Sequence, residues 1–185
     1  MSDQEEAQPA CVVEIAETGD VLLVTGPEKL TLRVQSLILK ATSKVFATML
    51  APTWTKNHET PSPDKPMEML FPEDNGTSLQ YICAVTHSRG QMIPENLSPQ
   101  DILDIAIVAD KYDFIDALEM ANRSWLRVCE KDEAGNMALM AAAYMFRNAQ
   151  AFRQISKALA LDYAGSYLNI YTETIEEILD WRVMG

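Results

Sequence analysis

The stretch Asp20-Val21-Leu22-Leu23-Val24-Thr25-Gly26-Pro27-Glu28-Lys29-Leu30-Thr31-Leu32-Arg33-Val34-Gln35 decides how this chain is read. In its second arm Leu30, Leu32 and Val34 alternate with Lys29, Thr31, Arg33 and Gln35. A period of two belongs to a strand with one dry face and one wet face. Gly26-Pro27-Glu28 turns the chain between the arms, which predicts a hairpin. Upstream, Cys-Val-Val-Glu-Ile-Ala at 11–16 predicts a short strand. Glu17-Thr18-Gly19-Asp20 turns it back onto 21–25, giving a three-strand meander.

Past Gln35 the period becomes helical. Leu37, Ile38, Ala41, Val45 and Met49 recur at three to four residues, and Ser43 is placed to break the stretch and cap a second short helix. Whether 37, 38, 45 and 49 face a core or a dimer partner is left open by the pattern. Residues 51–66 carry Pro52, Pro61, Pro63 and Pro66 and predict a surface loop. Met67–Phe71 alternates and predicts a strand rejoining the sheet. A helix follows, capped by Thr77 or Ser78, with Leu79, Ile82, Cys83 and Val85 inward and Gly90 as its stop.

Ser98-Pro99-Gln100-Asp101 is the clearest local signal. Ser98 suits an N-cap, Pro99 the first helical position, and Asp101 the positive end of the helix dipole. Ile102, Ile105, Ala106 and Ala109 then mark a buried stripe. A further helix is predicted from Phe114 through Ile115, Leu118, Ala121, Trp125 and Val128. Residues 136–183 predict Ala- and Met-rich helices, joined to the rest by Asp132-Glu133-Ala134-Gly135-Asn136.

The 185 residues fit one domain or one domain plus an appendage. A net charge of −12 disfavours binding nucleic acid through phosphate neutralisation, and favours solubility with a bias toward basic partners. No run approaches the roughly 20 apolar residues of a membrane span. Residues 1–10 read as a flexible acidic tail without the order of a secretory signal. Cys11, Cys83 and Cys129 are scattered and odd in number, which points to a reducing compartment and an intracellular, cytoplasmic or nuclear protein. Cys83 and Cys129 are both expected on apolar helical faces.

Taken in order, "GDVLLVTG", "LTLRVQSLILKATSKVFATML", "NLSPQDILDIAIVADKYD" and "ALEMANRSWL" resemble a BTB/POZ domain of the divergent kind common in filamentous fungi. The similarity spans about residues 19–130, and 136–160 resembles the helical tail of those versions. Asp20 and Val21 match the Asp-Val opening the family's first core strand. Leu39, Ser43 and Phe46 match its Leu…Ser…Phe helix pattern, and Ala109, Asp110, Lys111 and Tyr112 its Ala-Asp-Lys-Tyr. The resemblance implies an α+β fold: a small β-sheet flanked by a helical cluster over 11–130, with a C-terminal helical extension over 131–185. It also implies a protein–protein interaction module that binds protein partners, forms homodimers, or recruits a cullin-type ubiquitin ligase.

Val34-Gln35 stands where many members have Ala-His. Lys56 stands where cullin-recruiting members carry a glutamate, which argues against a cullin partner. The long N-terminal helix of many family homodimers is not evident in residues 1–16.

The candidate partner-binding residues are Trp54, Asp20 and Lys56. Trp54 lies in the proline-punctuated loop, either as an anchor for a partner or folded back onto the domain. Asp20 either lines a partner groove or bonds to a nearby backbone amide. Asp110, Lys111, Tyr112 and Asp113 form a charged cluster best explained by ion pairing or a helix terminus.

No catalytic residue, cofactor or metal site is expected. His58 and His87 are the only histidines, and no Cys/His pair has zinc-ligand spacing. No Gly-x-Ser-x-Gly and no phosphate-binding glycine pattern occurs. Glu176 and Glu177, being adjacent, diverge by about 100° on a helix and suit a solvated face. Met137, Met140 and Met145 suit core packing. The alternatives are a cullin substrate adaptor, or a small-molecule-binding or enzymatic helical protein with an enclosed polar pocket.

Overall fold

The structure, a computed structural model, describes residues 12–51, 62–129, 132–163, 170 and 172–179. The fold is α+β. Its contacts divide the chain after Arg89, whereas the sequence suggests a joint near 130.

The first unit holds strands β1 (Val12–Glu14), β2 (Val21–Thr25), β3 (Leu30–Val34) and β4 (Met67–Phe71), with helices α1 (Ser36–Thr42), α2 (Lys44–Met49) and α3 (Gly76–Thr86). β2 and β3 form the expected antiparallel hairpin, with Val21 opposite Val34 and Thr25 opposite Leu30. Gly26 turns it at φ 65°. The meander does not form. β1 runs parallel to β3 rather than folding back on β2, and the sheet order is β1-β3-β2-β4.

Each flank of the hairpin takes a parallel neighbour, because β4 occupies the free edge of β2 and leaves β1 that of β3. Arg33 helps hold this arrangement. Its Nε donates to the Gly19 carbonyl at 3.0 Å, and its guanidinium lies 3.7 Å from Glu14. A side chain at Gly19 would meet the Val34 carbonyl at 2.7 Å, so the turn before β2 packs too closely on β3 for any larger residue.

Val21, Leu23, Thr25, Leu32 and Val34 are buried on one sheet face, and Met67, Met69 and Phe71 pair there with Val21, Leu23 and Thr25. α3 packs against β3 and α1. Leu39, Phe46, Leu79, Ile82 and Cys83 are buried in the same unit, and the Phe46 and Phe71 rings lie 5.8 Å apart. Ser43 breaks the helical stretch as expected: its Oγ accepts from the Phe46 amide at 2.9 Å and starts α2. The cap of α3 is Asn75, not Thr77 or Ser78; its side chain accepts from Ser78 N.

α3 also stops before Gly90. The chain ends it at Ser88 with φ 57°; the Ser88 amide donates to the Val85 carbonyl and the Arg89 amide to that of Ala84. This paired closure around a left-handed residue is the Schellman motif, here without glycine.

The second unit contains α4 (Pro99–Lys111), α5 (Glu119–Trp125), α6 (Glu133–Met145), α7 (Ala149–Asp162) and α8 (Glu173–Ile178). The Ser98–Asp101 signal becomes a reciprocal capping box, with Pro99 at the first position. Ile102, Ile105, Ala106 and Ala109 are buried as expected. Asp113 and Arg147 close α4 and α6 by the same glycine-free motif as Ser88, at φ 56° and 55°.

The helix expected over 114–128 ends at Trp125, leaving Val128 43% exposed and Cys129 outside any helix. Asn136 explains the change. Its Oδ1 accepts from the Cys129 amide and its Nδ2 donates to the Cys129 carbonyl, both at 2.8 Å, so side-chain bonds replace helical ones there. In the stretch read as the joint, Asp132 caps α6 by accepting from the Gly135 amide. α6 packs on α4, α7 and α8, with Met137 and Met140 buried and Met145 half-buried.

Candidate functional site

The start of α1 is where the first unit gathers its polar chemistry. Gln35 is the N-cap, yet its own side chain makes no capping bond; it donates instead to Thr18 Oγ1 at 2.7 Å. Two side chains remote in sequence serve the helix instead. Asp20 Oδ1 accepts from the Ser36 amide at 2.7 Å, and Asp20 Oδ2 accepts from Ser36 Oγ at 2.6 Å. His87 Nε2 accepts from the Gln35 amide at 3.0 Å. An amide N–H only donates, so Nε2 bears a lone pair. The imidazole is then neutral, with its hydrogen on Nδ1, which donates to the Cys83 carbonyl at 2.8 Å. Burial pulls the His87 pKa below its ordinary value, with nearby Arg89 acting in the same direction against the Cys83 bond.

A shallow groove of about 350 Å³ opens beside this junction, lined by Ile15, Thr18, Gln35, Ile38, His87 and Arg89 among others. Arg89 is partly committed there, since its Nε donates to the Ile15 carbonyl at 3.2 Å.

The unit also leaves large aliphatic side chains in solvent. On α1, Leu37 is 70% exposed, while Ile38 on α1 and Val45 and Met49 on α2 are half-buried. The helical periodicity left these four undivided. The buried apolar positions on this stretch are Leu39, Phe46 and, just beyond α2, Leu50.

On the sheet face opposite the core, register aligns Val12, Thr31, Val24 and Leu70 in one cross-strand row, and Glu14, Arg33, Leu22 and Glu68 in the next. Leu70 is 71% exposed and Val12 46%, one at each edge of the sheet. Thr31, expected on the wet face, is buried instead, and its Oγ1 donates to the Lys29 carbonyl at 3.2 Å.

In the second unit a groove of about 650 Å³ is lined by Tyr144, Phe152, Met145, Ile178 and the charged Asp110, Arg147 and Glu177. The Tyr144 and Phe152 rings lie 6.2 Å apart. The cluster read at 110–113 is the end of α4. There Lys111 Nζ stands 5.2 Å over the buried Tyr112 ring and Asp113 takes the left-handed position. Glu176 and Glu177 are exposed on α8.

Of the residues singled out in the sequence, Asp20 sits at the α1 junction, bonded to Ser36. Trp54, Lys56 and His58 lie outside the described residues. The role of His87 was not legible, because its partner Gln35 is 52 positions away. Among the described residues, no group of three or more His, Cys, Asp or Glu is placed to hold a metal ion, and no helix is long and apolar enough to cross a membrane. Burial pushes the Cys83 thiol up to about 12, and burial and Asp132 also raise that of Cys129.

No family model matches the chain, and no curated protein matches it.

Proposed function

We propose that this chain is a protein–protein interaction module of BTB/POZ type that works by self-association or by scaffolding a protein partner. The mechanism is recognition by a preformed surface rather than a reaction. One observation carries the reading: the first unit holds Val12, Leu37 and Leu70 in solvent on regular elements rather than on loops. Exposed aliphatic groups on a frame fixed by β2, β3 and a buried Phe46 lose little conformational entropy when covered, which favours their use in binding. The net charge of −12 adds a preference for basic segments of a partner.

Static light scattering over a concentration series tests self-association. The expected mass rises toward that of a dimer with concentration. Leu37→Glu or Leu70→Glu returns it to the monomer with the fold intact by circular dichroism. A chain monomeric at every concentration removes self-association and leaves scaffolding of a different protein. Turnover of a substrate by the purified chain overturns the reading as a whole.

A further inference from the structure

His87 is the one described histidine, and each of its nitrogens is committed to a backbone group on a different helix end. Nδ1–H binds the carbonyl of Cys83 inside α3, and Nε2 receives the amide of Gln35 at the entrance to α1. Thr86 Oγ1, 3.2 Å from Nδ1 and itself donating to the Cys83 carbonyl, packs the ring from the α3 side. We propose that His87 is a proton-operated latch: neutral, it ties α1 to the end of α3, and on taking a proton from solvent at Nε2 it lets the start of α1 go.

The reason lies in donor counting. Protonation turns Nε2 from an acceptor into a donor, and the group it faces at 3.0 Å, the Gln35 N–H, has no lone pair. Two N–H groups then oppose each other, and one must leave. Nδ1 keeps its carbonyl in both states, so the ring stays with α3 and the bond to α1 is the one that breaks.

Several charged groups lie on the elements that meet here. Arg89 follows α3 and lines the groove, so it opposes a second positive charge. Glu17 lines the groove from the turn after β1, Asp20 holds Ser36, and Lys40 sits in the last turn of α1. The Cys83 thiol is neutral throughout. The carboxylate of Asp20 is engaged with Ser36 through both oxygens, so Ser36 stays tethered while Gln35 is released. The opening is therefore confined to the entrance of α1 and the groove beside it, not a loss of the helix.

Nuclear magnetic resonance on the full chain between pH 8 and pH 5 tests the latch. At pH 8 the His87 ring nitrogens are expected to report the Nδ1–H tautomer. As pH falls, the Gln35 amide shift follows the His87 ring titration with a common midpoint below 6.5, the ordinary histidine value. Corrected for intrinsic rates, Gln35 hydrogen exchange speeds up at least tenfold, while the Ser36 amide stays protected. His87→Gln keeps a neutral acceptor and is expected to flatten the Gln35 titration.

An Nε2–H tautomer at pH 8, a His87 ring that stays neutral down to pH 5, or a Gln35 amide indifferent to a titrating His87, overturns the proposal. These readings come from the wild-type chain, so they decide even if His87→Gln fails to fold. The latch is read directly and stands or falls apart from self-association.

Discussion

Replacing Asp20 separates its two readings, a structural clamp or a contact for a partner. In the structure both carboxylate oxygens are used, on the amide and the hydroxyl of Ser36, at 2.7 and 2.6 Å. Ser36 is only 7% exposed, so water reaches its amide and hydroxyl only through the space that the carboxylate would leave. A hydrogen bond to a charged group contributes about 1.5–3 kcal/mol net. Asp20 is half-buried, and water recovers part of the loss, which puts Asp20→Ala at about 2–3 kcal/mol for the pair.

For a chain of this length that cost corresponds to a fall of about 4–12 °C in Tm, read by circular dichroism. Asp20→Asn keeps a carbonyl acceptor for the Ser36 amide and turns its amino group to the hydroxyl, so roughly half the loss is expected. A double-mutant cycle with Ser36→Ala isolates the hydroxyl bond, with a coupling of about 1–2 kcal/mol expected. Asp20→Ala within about 0.5 kcal/mol of wild type, or coupling near zero, refutes the clamp. If that variant also loses self-association, Asp20 acts on the partner.

Other consequences can be checked as directly. Ser88→Gly and Arg147→Gly remove side chains from left-handed positions and should each raise stability by about 0.5–1 kcal/mol in urea denaturation, since the strain relieved exceeds the entropy glycine adds to the unfolded chain. Cys83, buried and with its pKa near 12, should resist maleimide at pH 7 until the protein unfolds, while the part-exposed Cys129 labels in the native state; mass spectrometry of the labelled peptides reads both.

His87 sets a pH dependence of known sign. Its native pKa is depressed, so the unfolded chain binds the proton first. Its contribution is complete above pH 6.5 and is lost as pH falls below that value toward the native midpoint. Urea titrations at pH 7.5 and 5.5 should show wild type losing more stability than His87→Gln; equal losses would contradict this.

Much of the local structure was legible because it is decided within a few residues. The Ser98 capping box, the break at Ser43 and the hairpin turn at Gly26 each depend on hydrogen bonds or dihedral preferences three or four positions long. Helix ends were less legible. Gly90 looked like the stop of α3, but Ser88, Asp113 and Arg147 close three helices without glycine, because the two carbonyl bonds of each closure and tertiary packing outweigh the cost of the left-handed residue. Cys129 fell outside its expected helix because Asn136, seven residues on, offers the backbone an alternative partner.

The amino-acid sequence by itself determined that this is an α+β chain, with its hairpin and the buried stripe of α4, since period and turn chemistry act locally. Only the tertiary structure decided that β1 lies beside β3, that Leu37 and Leu70 face solvent, and that Asp20 and His87 meet at the head of α1. The physical reason is competition: an unpaired strand edge, an apolar side chain and an orphan amide each accept many partners, and which one wins depends on the assembled whole.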